Sequence, residues 1–195
     1  MKKLRLGVVL GGALLLAGCG INDVPTKGEA ASAAWAEVQN QYQRRADLVP
    51  NLVETVRGYA KHEEGTLTQV MEARAKATSV TLNADDVTDP QKVAAFEQAQ
   101  AELSRGLGRL LAVAENYPDL KANQNFLALQ SQLEGTENRI AVARRDYIQA
   151  VQTYNLEFRK IPDKWVTSVF HGEAEPMTPF QANQEAQTAP KVSFQ

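Results

Sequence analysis

From Glu29 onward, apolar and aromatic residues recur at alternating steps of three and four: Trp35, Val38 and Tyr42, then Val49, Leu52, Val56 and Tyr59. That spacing gathers them on one face of a helix. The register position skipped between Tyr42 and Val49 is Arg45, which either snorkels outward or is paired inside a bundle. Pro50 removes a backbone donor and crowds the carbonyl of Ala46, so the pattern predicts a kink or break near residues 46–50. The apolar phase survives across it, and both halves face one core. A second set, Leu67, Val70 and Met71, fades by Val80. Residues 81–88 are polar and turn-like, and Asp89 followed by Pro90 supplies an N-cap with proline at the first helical position. The next seam is Val93, Phe96, Leu103, Leu107 and Leu110, with Gln100 as a polar interruption, and it ends before Pro118. After a short helical re-entry at residues 119–123, the most regular seam runs through Phe126, Leu129, Leu133, Thr136, Ile140, Ala143, Tyr147, Ala150 and Tyr154, up to Pro162. These periods predict an all-α fold: an elongated up-and-down antiparallel bundle of about four helices over residues 29–162.

The two ends depart from this pattern. Lys2, Lys3 and Arg5 precede a twelve-residue apolar run over residues 6–17, too short for a membrane span of about 20 residues but suited to a secretory signal. Leu16-Ala17-Gly18-Cys19 resembles a bacterial lipobox, and the resemblance implies that residues 1–18 are a lipoprotein signal peptide and that Cys19 is acylated. Residues 19–28, with Pro25 and Gly28, read as a flexible lipid-anchored tether. Residues 163–195 lose the helical period and read as a mostly irregular tail. Of its isolated apolar residues, Trp165, Val169 and Phe170 are expected to pack on the bundle. Pro190, Val192 and Phe194 form an extended end whose two apolar side chains share one face, suited to a partner.

Composition narrows the function. The 195 residues carry 21 basic and 23 acidic side chains, and removing residues 1–18 takes away three positive charges, leaving the mature chain at net -5. Neither nucleic acid nor an anionic bilayer is attracted by overall charge, so membrane residence rests on the lipid. One cysteine excludes a disulfide framework and any CxxC site. The two histidines, His62 and His171, read as a solvated helix residue and a tail residue, and His62-Glu63-Glu64-Gly65-Thr66 lacks the second histidine of a zinc protease motif. No cofactor is implied.

Three blocks carry a family resemblance: residues 42–59, with Arg44-Arg45-Ala46-Asp47-Leu48-Val49-Pro50-Asn51-Leu52; Glu115-Asn116-Tyr117-Pro118-Asp119-Leu120; and Glu134-Gly135-Thr136-Glu137-Asn138-Arg139-Ile140, continuing to Arg144 and Tyr147. With Trp35 and the terminal Ala189-Pro190-Lys191-Val192-Ser193-Phe194, the chain resembles LemA proteins over most of its mature length. The resemblance implies a membrane-associated helical bundle without a defined biochemical activity, and gives a weak hint of a membrane metalloprotease as neighbour. Ile148 stands where the family usually has asparagine. Read physically, Arg44, Arg45, Asp47, Glu54, Glu134, Glu137, Arg139 and Arg144 place charges of both signs where the first and last helices face each other, and pairing there would fix register. Tyr42, Tyr59, Tyr117, Tyr147 and Tyr154 lie on or near seams and read as core tyrosines.

The resulting expectation is a non-catalytic, lipid-anchored scaffold or adaptor of the bacterial cell envelope that binds another envelope protein. Self-association into a membrane-organising assembly and an enzyme with an unrecognised polar groove are the alternatives. Gly20 lacks the aspartate that favours inner-membrane retention, so a host with two membranes would carry the protein on the periplasmic face of the outer one.

Overall fold

The computed structural model describes residues 20–181. Cys19 and the end bearing Pro190, Val192 and Phe194 lie outside them. The fold is all-helical: α1 (Asp23–Tyr59), α2 (Glu64–Ser79), α3 (Pro90–Ala114), the short α4 (Pro118–Lys121), α5 (Gln124–Asn155) and α6 (Asp163–Phe170), with 3-10 turns at Lys61–Glu63, Ala84–Thr88 and Leu156–Phe158. With 37 residues, α1 is about 55 Å long. It lies antiparallel to α5: Lys27 near its start pairs with Glu157 just past the end of α5, and Tyr59 at its end meets Asn123 at the start of α5. The α2–α3 hairpin covers the pair, with Gln100 bonded back to Ala77 and Gly106 closing on Val70. The expected helical bundle is thus observed.

Two boundaries differ from the sequence reading. Helix α1 begins at Asp23, so residues 23–28 are its first turns rather than a tether. Pro25 falls where a helix has no internal acceptor for an N–H, Val24 is buried, and Lys27 is held by Asp23 and Glu157. The tail also folds further than expected. Residues 163–170 form α6, and the strand-free stretch after it returns to the bundle: Met177 exchanges hydrogen bonds with the Asn155 side chain, and Thr178 N–H donates to the Val87 carbonyl.

Helix α1 runs unbroken through Pro50. Proline leaves the Ala46 carbonyl without its helical donor, and Arg74 of α2 supplies one, its Nε lying 2.8 Å from that oxygen. A neighbouring helix thus satisfies the group that would otherwise favour a break. At the α3 start, Asp89 caps as expected, its carboxylate accepting from the Gln91 and Lys92 amides.

The core has two chambers. One is aliphatic, built on Val49, Leu52, Leu103, Leu107, Leu110 and Leu133. The other, at the pole where α1 begins, is aromatic: Trp35 packs against Phe96, Tyr147 and Phe180 with ring centroids 5.3, 5.4 and 5.6 Å apart. Between them lies a polar level formed by Arg45, Gln100 and Thr136, all buried.

Candidate functional site

The two polar interruptions in the sequence, Arg45 in the α1 seam and Gln100 in the α3 seam, meet. Arg45 is only 1% exposed, and its Nη2 donates to the Gln100 side-chain oxygen at 2.7 Å and to the Gln100 carbonyl at 3.2 Å. Its Nη1 donates to Ser104 Oγ at 2.7 Å and to Glu137 Oε1 of α5 at 3.0 Å, while its Nε is buried without a partner among the described residues. Two turns along α5 from the layer, Arg144 donates to Glu97 at 2.8 Å and to the Tyr42 hydroxyl at 3.0 Å. Burial opposes the Arg144 charge, but Tyr42 and Glu97 outweigh it and push its pKa above the ordinary guanidinium value. These groups line an open groove of about 570 Å³ between α3 and α5.

Of the charges expected to fix register, the structure brings Arg45, Glu137 and Arg144 to this groove. Arg44 and Arg139 are exposed, Asp47 and Glu134 accept from glutamines of their own helices, and Glu54 pairs with Arg57 one turn on. The reason is angular. Arg44 and Asp47 flank the buried position that Arg45 occupies, so no rotation of α1 buries all three. The expected partner set lacked Glu97 and Ser104, which lie on a face of α3 that the apolar period leaves blank. It also lacked the Lys27–Glu157 pair, because residues 20–28 were read as a tether.

The tyrosines divide as burial dictates. Tyr42 and Tyr154 are buried, Tyr147 is buried with its hydroxyl donating to the Thr178 carbonyl, and Tyr117 donates to Glu63, whereas Tyr59 is exposed. His62 is exposed and His171 Nε2 sits 2.6 Å from the Ile21 carbonyl. Among the described residues no group of three or more His, Cys, Asp or Glu is gathered as a metal ion requires.

For acid–base chemistry a groove needs a carboxylate free to meet a substrate. Here Glu97 is mostly buried against Arg144, and Glu137, 44% exposed, is paired with Arg45. The arrangement positions helices, and presents a mixed-charge surface rather than an unpaired acid and base.

A model of the LemA family matches residues 34–194. The chain belongs to the LemA family. Relatives are similar at modest identity: the magnetosome protein MamQ 2 of Paramagnetospirillum magneticum is 26% identical over 157 residues, covering 72% of this chain and 58% of that protein. MamQ of Magnetospirillum gryphiswaldense is 23% identical over the same coverage. Protein LemA of Metamycoplasma hominis is 24% identical over 132 residues, 68% of this chain and 55% of that protein. The chain therefore spans less than three fifths of the length of these relatives. LemA proteins are membrane-associated helical proteins. No helix among the described residues of this LemA chain is long and apolar enough to cross a membrane.

Two ionisable groups, the half-buried Lys27 and the buried Tyr147, give this LemA bundle a signed pH dependence. The hydrogen bond to Glu157 raises the Lys27 pKa, against the opposing effect of burial. Burial alone raises the Tyr147 phenol far above its ordinary value. Both groups hold a proton more tightly folded than unfolded, so their stabilisation is complete below about pH 10 and is lost as pH rises through the folded values. Unfolding free energy measured by urea titration is expected to fall from about pH 10 upward, with a shallower slope in Tyr147→Phe. An identical slope in that variant would show that Tyr147 contributes nothing to it.

Proposed function

We propose that the protein is a non-catalytic, lipid-anchored scaffold or adaptor of the bacterial cell envelope. The observation that carries this reading is the groove, in which each carboxylate is committed to an arginine that also ties helices together. Its surface is left for recognition rather than for proton transfer. The anchor would be Cys19, directly before Gly20, and in a host with two membranes the bundle would stand on the periplasmic face of the outer one. At the groove rim the Gln181 carbonyl accepts from Arg144. The groove and the segment bearing Pro190, Val192 and Phe194 are together the proposed contact with another envelope protein. The family resemblance offers a membrane metalloprotease as one candidate for that protein.

The test has two arms. In cells fed labelled fatty acid, Cys19→Ala is expected to abolish labelling; label retained on the variant would remove the anchor from the proposal. Photo-crosslinkers placed at Arg145, an exposed residue of the groove wall on α5, and along the tail in native membranes are expected to capture one protein reproducibly, with recovery reduced by deletion of residues 189–195. Capture of only further copies of the chain, with concentration-dependent sedimentation of the mature protein, would favour the self-assembling alternative. Turnover that depends on Glu97 or Glu137 would replace the scaffold reading with an enzyme.

A further inference from the structure

The most unusual surface of the bundle lies at the pole opposite the aliphatic chamber. Trp165 and Val169, four residues apart, share one side of α6, and Ile161 lies in the turn just before it. They are 67, 62 and 74% exposed, and Phe170 at the helix end is 59% exposed. Thr167, on the opposite side, is buried and bonded to the Glu157 and Asp163 carbonyls, which fixes the helix with its apolar side outward. Trp165, Val169 and Phe170 were expected to pack on the bundle. The structure turns them to solvent, and Thr167 is the residue that α6 buries.

Two further observations say what covers this face. The first is position. Gly20 lies against α6, where an added Cβ would stand 3.7 Å from the Asp163 carboxylate, and the Ile21 carbonyl contacts His171 just past the end of α6. The residue preceding Gly20 is Cys19, and the apolar run of residues 6–17 precedes that. Whatever holds the N-terminus at a membrane holds α6 there too. The second is charge. Arg159, Lys160 and Lys164 are exposed beside the apolar side chains, whereas Asp163 faces Gly20 and is half-buried. Aromatic and aliphatic residues flanked by lysine and arginine suit the boundary between acyl chains and anionic headgroups, where a tryptophan ring is well accommodated. The exposed acids nearby, Glu173 and Glu175, lie on the loop after α6 rather than on its apolar side.

We propose that the α6 face seats on the surface of an anionic phospholipid bilayer. Ile161, Trp165, Val169 and Phe170 enter the interface, and Arg159, Lys160 and Lys164 meet the headgroups. The inference rests on the anchored reading of the N-terminus for its geometry. With the chain tethered one residue away, docking is intramolecular, so a face too weak to bind alone is occupied once the anchor is in place. The bundle would then be fixed at two adjacent points, with the end of α1 and the α4 region directed away from the membrane.

The experiment uses the full mature chain with Trp35→Phe, so that Trp165 is the remaining tryptophan. It is reconstituted in phosphatidylcholine vesicles with and without phosphatidylglycerol, and in matched vesicles with brominated acyl chains. The mass of the N-terminal peptide reports acylation separately. Trp165 emission is expected to shift blue and to be quenched severalfold by brominated lipid, most strongly with phosphatidylglycerol. Ile161→Glu combined with Val169→Glu, both at exposed positions, is expected to remove most of that quenching without changing the melting curve. Acylated protein whose Trp165 stays open to aqueous iodide would overturn the docking and leave the anchor standing. Protein without an acyl group that is still quenched on adding vesicles would do the reverse. Equal quenching in neutral vesicles would overturn the role of the basic residues, and shielding of Trp165 in native membranes but not in vesicles would assign the face to a protein instead.

Discussion

Arg45→Ala is expected to destabilise the bundle by about 3 to 5 kcal/mol, because it removes a buried side chain and strands a buried amide. The guanidinium makes four hydrogen bonds, two of them to Gln100, which is itself 6% exposed. Without it the Gln100 side-chain oxygen has no donor, and a cavity opens beside Tyr42, whose ring lies 5.0 Å from the guanidinium carbon. Glu137→Gln is expected to cost far less, about 1 kcal/mol, since Glu137 is half exposed and the guanidinium keeps Ser104 and Gln100 as acceptors. Arg45→Met separates packing from hydrogen bonding, as it retains most of the stem. Denaturant unfolding of the three variants decides the matter: an Arg45→Met protein within about 1 kcal/mol of the parent would show that the hydrogen bonds add little.

Phe180→Ala should cost a similar amount, about 3 to 5 kcal/mol, although the residue lies outside every regular element. Its ring is 6% exposed, sits 5.1 Å from Tyr147 and 5.6 Å from Trp35, and is covered by the Arg144 guanidinium at 4.3 Å. It closes the aromatic chamber and pins the returning chain, so the variant should also lose the protection of the Thr178 amide that donates to Val87. Hydrogen exchange at Thr178 together with the melting temperature checks both effects. A protein that melts normally while Thr178 exchanges freely would reduce Phe180 to a local clip. By contrast Val169→Ala, at a 74% exposed position, should change stability by less than about 0.5 kcal/mol.

The helices were legible because each buries a continuous stripe, and a stripe repeats along the chain. Trp35, Val38, Tyr42 and Val49 announce α1, and Phe126 to Tyr154 announce α5, before any contact is known. Polar interruptions of those stripes were legible as places where something must happen, and Arg45 and Gln100 are such places. Their partnership was not, since it depends on the axial stagger of α1 against α3, which no local pattern encodes. The same limit explains the tail. One phenylalanine in an aperiodic segment carries no sign of whether it faces inward, and Trp165 and Phe180 differ only in what the returning chain leaves them to touch. The start of α1 was misread for a local reason: Pro25 and Gly28 are turn residues by composition, yet proline in a first helical turn loses no bond, and Gly28 lies under the Tyr154 ring, 3.4 Å from where a Cβ would stand.

The polar level between the two chambers bears on how this protein can change over generations. Sliding α1 by one turn, about 5.4 Å, would carry the Arg45 guanidinium off its acceptors on α3 and toward Phe96 or Leu103, so neighbouring registers are closed to the chain. Substitutions in the aliphatic chamber share few contacts with those in the aromatic one, and their costs should add rather than compound. The far pole is therefore free to drift toward new surfaces while the pole beside Gly20 keeps its shape.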